Sequence, residues 1–274
     1  MTTRPHLRDA ALDARYEELG YVVLRGGAAS SLRALRRVHR RVGGPAEDGF
    51  HSTMYSADQP HKERIHRELV EVLGPLLDEH LEGHRPLLAS FITKGRGDTG
   101  RMPPHQDWTF VDEPEVASMN FWVPLVDVDQ RNGAMSVLPR GHQVPHTIRG
   151  SDTQNPFREI EELAAQHMVE VPMRAGDVLV HDHRVLHASP PNERRRLRVV
   201  AGIAVVPAGA AIVHYRRTGP GTLDRYAVSR EFFTEHTYGS PELPESAVKT
   251  DVVSFENPVL RPEDLPLGGV SPHQ

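Results

Sequence analysis

The chain has 274 residues, a net charge of −5 and no cysteine. Its 38% hydrophobic and 25% charged residues are typical of a globular protein, and the length fits one domain, predicted over 1–274. The lack of cysteine excludes disulfides, zinc–thiolate sites and thiol nucleophiles, so a bound metal needs His, Asp or Glu ligands. The acidic charge argues against a nucleic-acid partner. Because the sequence shows no signal peptide or membrane span, we expect a cytoplasmic protein without a membrane partner.

The N-terminal part, 8–82, is predicted to be mainly helical. Apolar residues recur at helical spacing in this part, and one apolar run bounded by glycines favours a strand. Gly74 and Pro75 favour a break in the last helix. In chain order, the sequence predicts a helix over 8–19, a strand over 20–26, a helix from Ser30 or Ser31 to Gly43 and Gly44, and a helix over 61–82.

From about 85 to 215 the pattern changes to short, β-branched, alternating segments separated by Gly, Pro and Asn turns. Strands at this spacing are typical of an antiparallel sandwich or jelly roll. One helix is predicted inside this region, over 156–167. The tail, 216–274, is rich in Pro, Gly, Glu and Arg, with one helix-like piece at 229–239. The predicted fold class is therefore mainly β (α+β), a double β-sheet with flanking N-terminal helices.

Four His-x-acid sequences compete as metal motifs: HKE at 61–63, HRE at 66–68, HLE at 80–82 and HQD at 105–107. Residues two apart point in opposite directions on a helix but share one face of a strand. The first three motifs fall in or beside the helical segment and are interpreted as solvated helix charges. Pro103 and Pro104 forbid a regular helix before the fourth, so His105 and Asp107 are predicted to converge on one metal ion.

The third ligand is expected in "HDHRVLH", 181–187. Two histidines and one carboxylate with open positions are the arrangement of non-haem Fe(II) oxygenases, which need free positions for a co-substrate and O₂. His181, His183 and His187 share one face of a regular strand, so alternation alone does not choose among them. The turn sequence "ASPPN" places His187 at a strand end, which favours it. The other two histidines are then expected beside the site or at the surface.

Several stretches, taken in order, resemble the phytanoyl-CoA dioxygenase-like family: "PPHQDWTF", "NFWVPLVDVDQRNGAMSVLPRGH", "AGDVLVHDHRVLHASPPN" and the arginine downstream. The resemblance covers the chain from about 18 to 207. It implies a double-stranded β-helix (jelly-roll) core and an enzyme that uses Fe(II), 2-oxoglutarate and O₂. "PRGH" at 139–142 departs from the family's usual Pro-Gly-Ser-His, which affects a turn and not a ligand.

Carried over residue by residue, the resemblance assigns His105, Asp107 and His187 to the iron. It assigns the far carboxylate of 2-oxoglutarate to Arg198, which lies eleven residues after the distal histidine. Ser189, two residues after the same histidine, is implied to bind that carboxylate as well.

The residues themselves also favour Arg198. It is the arginine of "RRRLRVVAGIAVV" that lies within the apolar strand, where it shares a face with Val200 and Gly202. A guanidinium in that position needs an anion, and its planar fork suits a carboxylate. Arg194 and Arg195 are expected to be solvated. Arg196 is expected at the surface, with contact to the substrate as the alternative.

Further residues are predicted around the site. Gln106 lies between two ligands, and Asn120 and Trp122 alternate on one strand face, so all three are predicted cofactor contacts. Lys94 precedes a Gly-rich loop and is expected to be solvated. The segments 61–82, 95–102 and 215–274 are the candidates to cap the site.

The sequence thus predicts an oxygenase that hydroxylates or otherwise oxidises a C–H bond of a small-molecule metabolite, in natural-product biosynthesis, releasing succinate and CO₂. Asp107 favours this reaction over halogenation, because related halogenases replace the carboxylate with a small residue. Two other functions are weighed: a metal-dependent hydrolase with the same triad, and a non-enzymatic jelly-roll binding protein. The hydrolase would not explain Arg198 and Ser189, and the binding protein would not need three intact ligands. A monomer or homodimer is expected.

Overall fold

Three antiparallel sheets carry the fold in the computed structural model, which describes residues 6–43, 48–150, 153 and 155–267. The helices are α1 (Ala10–Leu19), α2 (Leu32–Val42), α3 (Gln59–His80), α4 (Glu161–His167) and α5 (Phe232–Glu235). The strands are β1 (Tyr21–Leu24), β2 (Phe50–Ser52), β3 (His84–Lys94), β4 (Met102–His105), β5 (Met119–Pro124), β6 (Ser136–Val137), β7 (Val169–Glu170), β8 (Val178–Asp182), β9 (His187–Ser189), β10 (Arg198–Pro207), β11 (Val213–Gly219), β12 (Thr222–Ala227) and β13 (Val248–Ser254).

The first two helices follow their sequence signals. The Asp9 carboxylate caps α1 by accepting from two backbone N–H groups, and Gly20, with φ of 79°, ends the helix. Helix α2 begins at Leu32 and ends at Val42 as predicted, although the predicted stop at Gly44 lies outside the described residues. In the described part of the chain, no helix has the length and apolar character needed to cross a membrane.

Helix α3 continues through Gly74 and Pro75, so the predicted break is wrong. Pro75 is exposed, and the carbonyl of Glu71, which loses its helical partner at this point, belongs to an exposed residue that water can reach. Buried leucines on both sides of the proline, including Leu73 and Leu76, hold the helix against the sheet. Tertiary packing therefore outweighs the local cost of the proline.

The six-stranded sheet, in the order β1-β8-β5-β10-β3-β2, has two different faces. Alternate residues of β10, among them Ala201 and Ile203, pack with α2 and α3 in the largest apolar core. The intervening residues, including Arg198 and Gly202, line a cavity on the opposite face. This alternation explains how an arginine lies within an almost wholly apolar strand.

The four-stranded sheet, in the order β4-β9-β6-β7, covers the cavity face of the larger sheet. Strand β8 ends at Asp182, and a turn separates it from β9, which begins at His187. The chain thereby passes from one sheet to the other between His181 and His187. The two facing antiparallel sheets with N-terminal helices confirm the predicted β-rich fold class.

The tail differs from its prediction. Strands β11, β12 and β13 form a third antiparallel sheet, which the turn-rich composition concealed. The helix-like piece at 229–239 contains only the single turn α5. The inner helix at 156–167 is also shorter than predicted, because a 3-10 turn over Arg158–Ile160 precedes α4.

Candidate active site

A cavity of about 960 Å³, including its open mouth, lies between the two facing sheets. Strands β3, β5 and β10 of the larger sheet form one wall, and β4 and β9 of the smaller sheet form the other. The segment before α3 and the residues after β4 close the sides.

His105 and His187 lie directly opposite each other on the paired strands β4 and β9. Their ring centroids are 4.3 Å apart. Each ring places Nδ1 against a backbone carbonyl, at 2.7 Å from Pro103 O for His105 and 2.9 Å from Val185 O for His187. A hydrogen bond donated from Nδ1 fixes the tautomer and leaves Nε2 of both rings as a free electron-pair donor.

Asp107 completes the cluster predicted from the sequence. Its backbone N–H donates to His183 O at 3.0 Å and its carbonyl accepts from Arg149 Nε at 2.7 Å, so the main chain is held on both sides. One carboxylate oxygen lies 3.9 Å from His187 Nε2, and the other is buried without a hydrogen-bond partner. One donor atom from each of His105, Asp107 and His187 lies within 4.8 Å of the others.

Burial keeps the two histidines neutral. It lowers the pKa of His105 to about 4, with the facing His187 adding to the effect, and it lowers the pKa of His187 as well. Burial alone would raise the pKa of Asp107, but attraction to the imidazoles of His187 and His183, once these are protonated at acidic pH, brings that pKa well below its usual value. Neutral imidazoles and a carboxylate with an unsatisfied oxygen fit a divalent iron ion that keeps open positions.

Arg198 lies on the opposite wall and is only 2% exposed. Its guanidinium carbon is 5.4 Å from the centroid of the Trp122 ring, and its Nε is buried without a hydrogen-bond partner. Burial lowers the pKa of Arg198 to about 9, which still leaves it cationic at neutral pH. A buried cation without a carboxylate partner among the described residues fits an anionic ligand that enters the cavity.

Lys94 is fully buried rather than solvated as expected. It pairs with Arg198 in the register of β3 and β10. Its Nζ lies 2.7 Å from Ser189 Oγ, 3.1 Å from Ser189 O and 2.6 Å from Pro190 O. Burial, with the charge of Arg198, lowers the pKa of Lys94 to about 6. The lysine thus ties the two sheets together and fixes Ser189, which lines the cavity beside the arginine.

Of the three remaining predicted cofactor contacts, two line the cavity and one does not. Asn120 and Trp122 line the cavity, opposite Ala204 and Gly202 of β10. The structure places the Gln106 side chain elsewhere, because its amide N–H₂ donates to Arg184 O and its carbonyl accepts from Thr147 Oγ1. Gln106 therefore holds the loop that carries two of the proposed ligands and does not line the cavity.

The other histidines are more buried than the sequence suggested. His181 and His183 are 0% and 1% exposed, and His183 Nδ1 lies 2.7 Å from Ser118 Oγ. His66, interpreted as a solvated helix charge, is 6% exposed, and its Nδ1 accepts from Ala89 N. His142 Nε2 lies within hydrogen-bonding distance of Glu17 O, at 3.1 Å, and so makes a structural contact with α1. The exposed arginines at 194–196 agree with their predicted solvation.

The sequence missed several residues of the cavity because distant segments supply them. Phe50, Met54 and Tyr55, from the segment before α3, line it. Helix α3 itself packs on the outer face of the larger sheet and contributes no lining residue, so 61–82 is not a cap. The loop 95–102 contributes only Met102 to the lining, whereas Tyr238 of the tail lies against the lining residue Trp108, with ring centroids 5.5 Å apart.

A jelly-roll core with two histidines, a carboxylate and an unpaired arginine at one cavity defines the class of non-haem iron enzymes that use 2-oxoglutarate. The family model of phytanoyl-CoA dioxygenase matches residues 16–200, and the chain belongs to that family. Its members are Fe(II)- and 2-oxoglutarate-dependent enzymes that use O₂. Among curated proteins, none matches this chain.

Solved structures share the fold at low identity. The epimerase SnoN, in complex with Fe³⁺, alpha ketoglutarate and nogalamycin RO, is 22% identical, with a TM-score of 0.55 over 90% of this chain and 98% of its own. HygX from Streptomyces hygroscopicus, with nickel, 2-oxoglutarate and hygromycin B bound, is 15% identical, with a TM-score of 0.52 over 73% and 88%. AviO1 from Streptomyces viridochromogenes Tue57 is 21% identical, with a TM-score of 0.50 over 73% and 96%.

Proposed function

We propose that this enzyme oxidises a C–H bond of a small natural product, by hydroxylation or a related oxidation, and releases succinate and CO₂. The observation that carries the proposal is the pairing of two features in one cavity. The donor atoms of His105, Asp107 and His187 converge within 4.8 Å on one wall. The unpaired cation of Arg198 lies on the other wall of the same cavity.

His105, Asp107 and His187 would hold the iron. When bound together, iron, 2-oxoglutarate and O₂ supply the oxidising chemistry, and the protein supplies position and surroundings. The Nδ1 hydrogen bonds to Pro103 O and Val185 O keep both imidazoles turned toward the ion.

Arg198 would bind the far carboxylate of 2-oxoglutarate, and its Nε, buried without a partner, would gain an acceptor. The Ser189 hydroxyl, which Lys94 Nζ holds at 2.7 Å, lines the same cavity and would bind the same carboxylate. Trp122 packs under the guanidinium and keeps water from that side. A metal-dependent hydrolase would need neither of these anion-binding groups.

The natural-product assignment is supported by relatives of the same fold. SnoN is described from nogalamycin biosynthesis, and HygX was solved with hygromycin B. The apolar and aromatic side chains in the cavity, among them Leu88, Phe110 and Trp122, suit a small organic substrate.

The first test is anaerobic loading with Fe(II) followed by 2-oxoglutarate. We expect a visible absorption band that depends on both, and succinate when O₂ and a substrate are added. Asp107→Ala should lose the band and turnover, because it removes one of three ligands. Asp112→Ala, at an exposed aspartate nearby, is the matched control and should retain both.

Wild-type protein that forms no band and no succinate with any substrate tested would contradict the proposal. Retained turnover in Asp107→Ala would refute its role as a ligand. The mass of the product separates the outcomes, since hydroxylation adds one oxygen atom and epimerisation, the reaction named for SnoN, leaves the mass unchanged.

A further inference from the structure

Three aromatic side chains, Tyr55, Trp108 and Tyr238, contact one another beside the cavity, and we call them the aromatic wall. The Tyr55 and Tyr238 ring centroids are 4.5 Å apart. The Tyr238 and Trp108 rings are stacked, with an interplanar angle of 14° and centroids 5.5 Å apart. Tyr55 and Tyr238 are 40% and 45% exposed, so they present ring surface to solvent.

Two of these residues connect the wall to the reaction site. Tyr55 and Trp108 both line the cavity, and Trp108 follows Asp107 directly in the sequence. A molecule that lies against the wall therefore reaches into the space beside the three proposed iron ligands.

The position of Tyr238 is fixed by contacts between the tail and α3. Lys62 Nζ donates to His236 O at 2.6 Å, and Gln59 Nε2 donates to Glu235 O at 2.9 Å. Arg230 forms a bidentate ion pair with Glu63, at 3.0 and 3.2 Å. The tail thus carries Tyr238 on a well-anchored turn, and the ring is pre-positioned for stacking.

The charges of the cavity restrict the substrate. Among its lining residues, Asp107 and Arg198 are the two that carry a formal charge at neutral pH. The proposed function assigns both, to iron and to 2-oxoglutarate. No lining lysine or further arginine is left for phosphate or carboxylate groups of a substrate.

We propose that the aromatic wall binds a flat, uncharged ring system of the substrate by stacking, and that the enzyme does not act on acyl-CoA thioesters. This inference rests on the proposed function, because it assigns Asp107 and Arg198 to the iron and the co-substrate. A flat ring can stack against the ring surface that Tyr55 and Tyr238 leave exposed beyond their contacts with each other and with Trp108. A thioester of coenzyme A would bring several phosphate charges to a cavity without a free cation.

The test compares three probes on the anaerobic protein loaded with Fe(II) and 2-oxoglutarate: 2-(hydroxymethyl)anthraquinone, anthraquinone-2-sulfonate and palmitoyl-CoA. The first two share one ring system and differ in charge. Calorimetric titration should show that the neutral anthraquinone binds more tightly than either of the others. Neutral probe that fails to bind, or that binds no better than the sulfonate or the thioester, overturns the proposal.

Substitutions at Tyr238 test the stacking itself. Tyr238→Leu retains an apolar side chain but loses the flat face, and it should raise the Kd of the neutral probe about two- to tenfold. Tyr238→Phe keeps the face and should bind like the wild type. Val259→Ala, at a valine of the tail that is 76% exposed and is not part of the aromatic wall, is the control. Equal Kd values for the Leu and Phe variants would overturn the stacking role.

The absorption band of the Fe(II) and 2-oxoglutarate complex is recorded on every sample. If the band is present and the ring-binding result is negative, this inference is wrong and the proposed function stands. If the band is absent from the wild type, the proposed function itself has failed.

Discussion

Arg198 shows how one buried residue can favour ligand binding at the expense of stability. Its guanidinium is 2% exposed, and its Nε has no hydrogen-bond partner. A buried cation with no anion beside it destabilises the folded protein. The ligand-free protein carries this cost, and an anionic co-substrate would remove it. The residue is therefore expected to oppose folding and to favour binding.

We predict that Arg198→Met raises the stability of the ligand-free protein and abolishes binding of 2-oxoglutarate. Methionine has a similar reach and no charge, so the free energy of unfolding should rise by about 1–4 kcal/mol. Urea denaturation and titration of the Fe(II)-dependent absorption band measure the two effects. Arg196→Met, at an exposed arginine two residues earlier, should change neither. A destabilised Arg198→Met protein would show that the guanidinium is structurally required.

At the scale of elements, the loop over 145–150 supports the strand end that carries Asp107. Arg149 Nε donates to Asp107 O at 2.7 Å, and its two terminal nitrogens bind Glu113 at 2.6 Å each. Both side chains are buried, at 6% and 1% exposure. Because the ion pair holds the main chain of a proposed ligand, it orients the carboxylate without touching the cavity.

We predict that Arg149→Met weakens Fe(II) binding about 10- to 100-fold, as loss of a supporting contact does at other metal sites. The same change leaves Glu113 buried and unpaired, which should cost about 3–5 kcal/mol of stability. Adding Glu113→Gln removes that lone charge and should restore most of the stability, but not the metal affinity. Metal titration and denaturation of both variants separate these effects. Metal affinity that recovers together with stability would mean that the ion pair serves folding alone.

The passage of the chain from β8 to β9 explains why the local sequence predicts the backbone at one proposed ligand but not the orientation of another. Pro103 and Pro104 act on their own neighbours, so the extended backbone at His105 was predictable. The face of His187 was not, because alternation from His181 assumes one unbroken strand. In the structure the strand ends at Asp182, and His187 belongs to the other sheet.

Burial of Lys94 and stacking of Tyr238 on Trp108 depend on segments far apart in the sequence. No local pattern carries that information. The proposed ligands themselves were accessible from spacing and resemblance, since they lie on short stretches with strong backbone constraints. The contacts that support the ligands could not be predicted from the sequence, because each of them joins two such stretches.

At the scale of the whole molecule, several histidines are buried and neutral in the folded state. Burial lowers the pKa of His66 to about 4, and does the same for His214. Both lie outside the proposed iron-ligand set. Since their unfolded pKa is near the ordinary value of 6.5, the unfolded chain binds more protons than the folded one between pH 6.5 and 4.

Stability should therefore fall as the pH falls from about 6.5 towards 4, by about 1.4 kcal/mol per pH unit for each such histidine. His66→Asn keeps an acceptor for Ala89 N–H but removes the titrating group, so it should flatten this dependence by up to one proton. Urea denaturation of the wild type and the variant at several pH values measures the slopes. An unchanged slope in the variant would show that His66 does not contribute.

The two facing sheets supply different residues of the site. Two of the three proposed iron ligands lie on the paired strands β4 and β9, while Arg198 lies on β10 of the other sheet. Lys94 reaches from the larger sheet to Ser189 on the smaller one and fixes their separation at this point. The distance between the sheets would thus determine which length of dicarboxylic acid can reach from the iron ligands to Arg198. Selection for the carbon-chain length of the co-substrate would then be a property of how the sheets pack, and not of any single residue that contacts it.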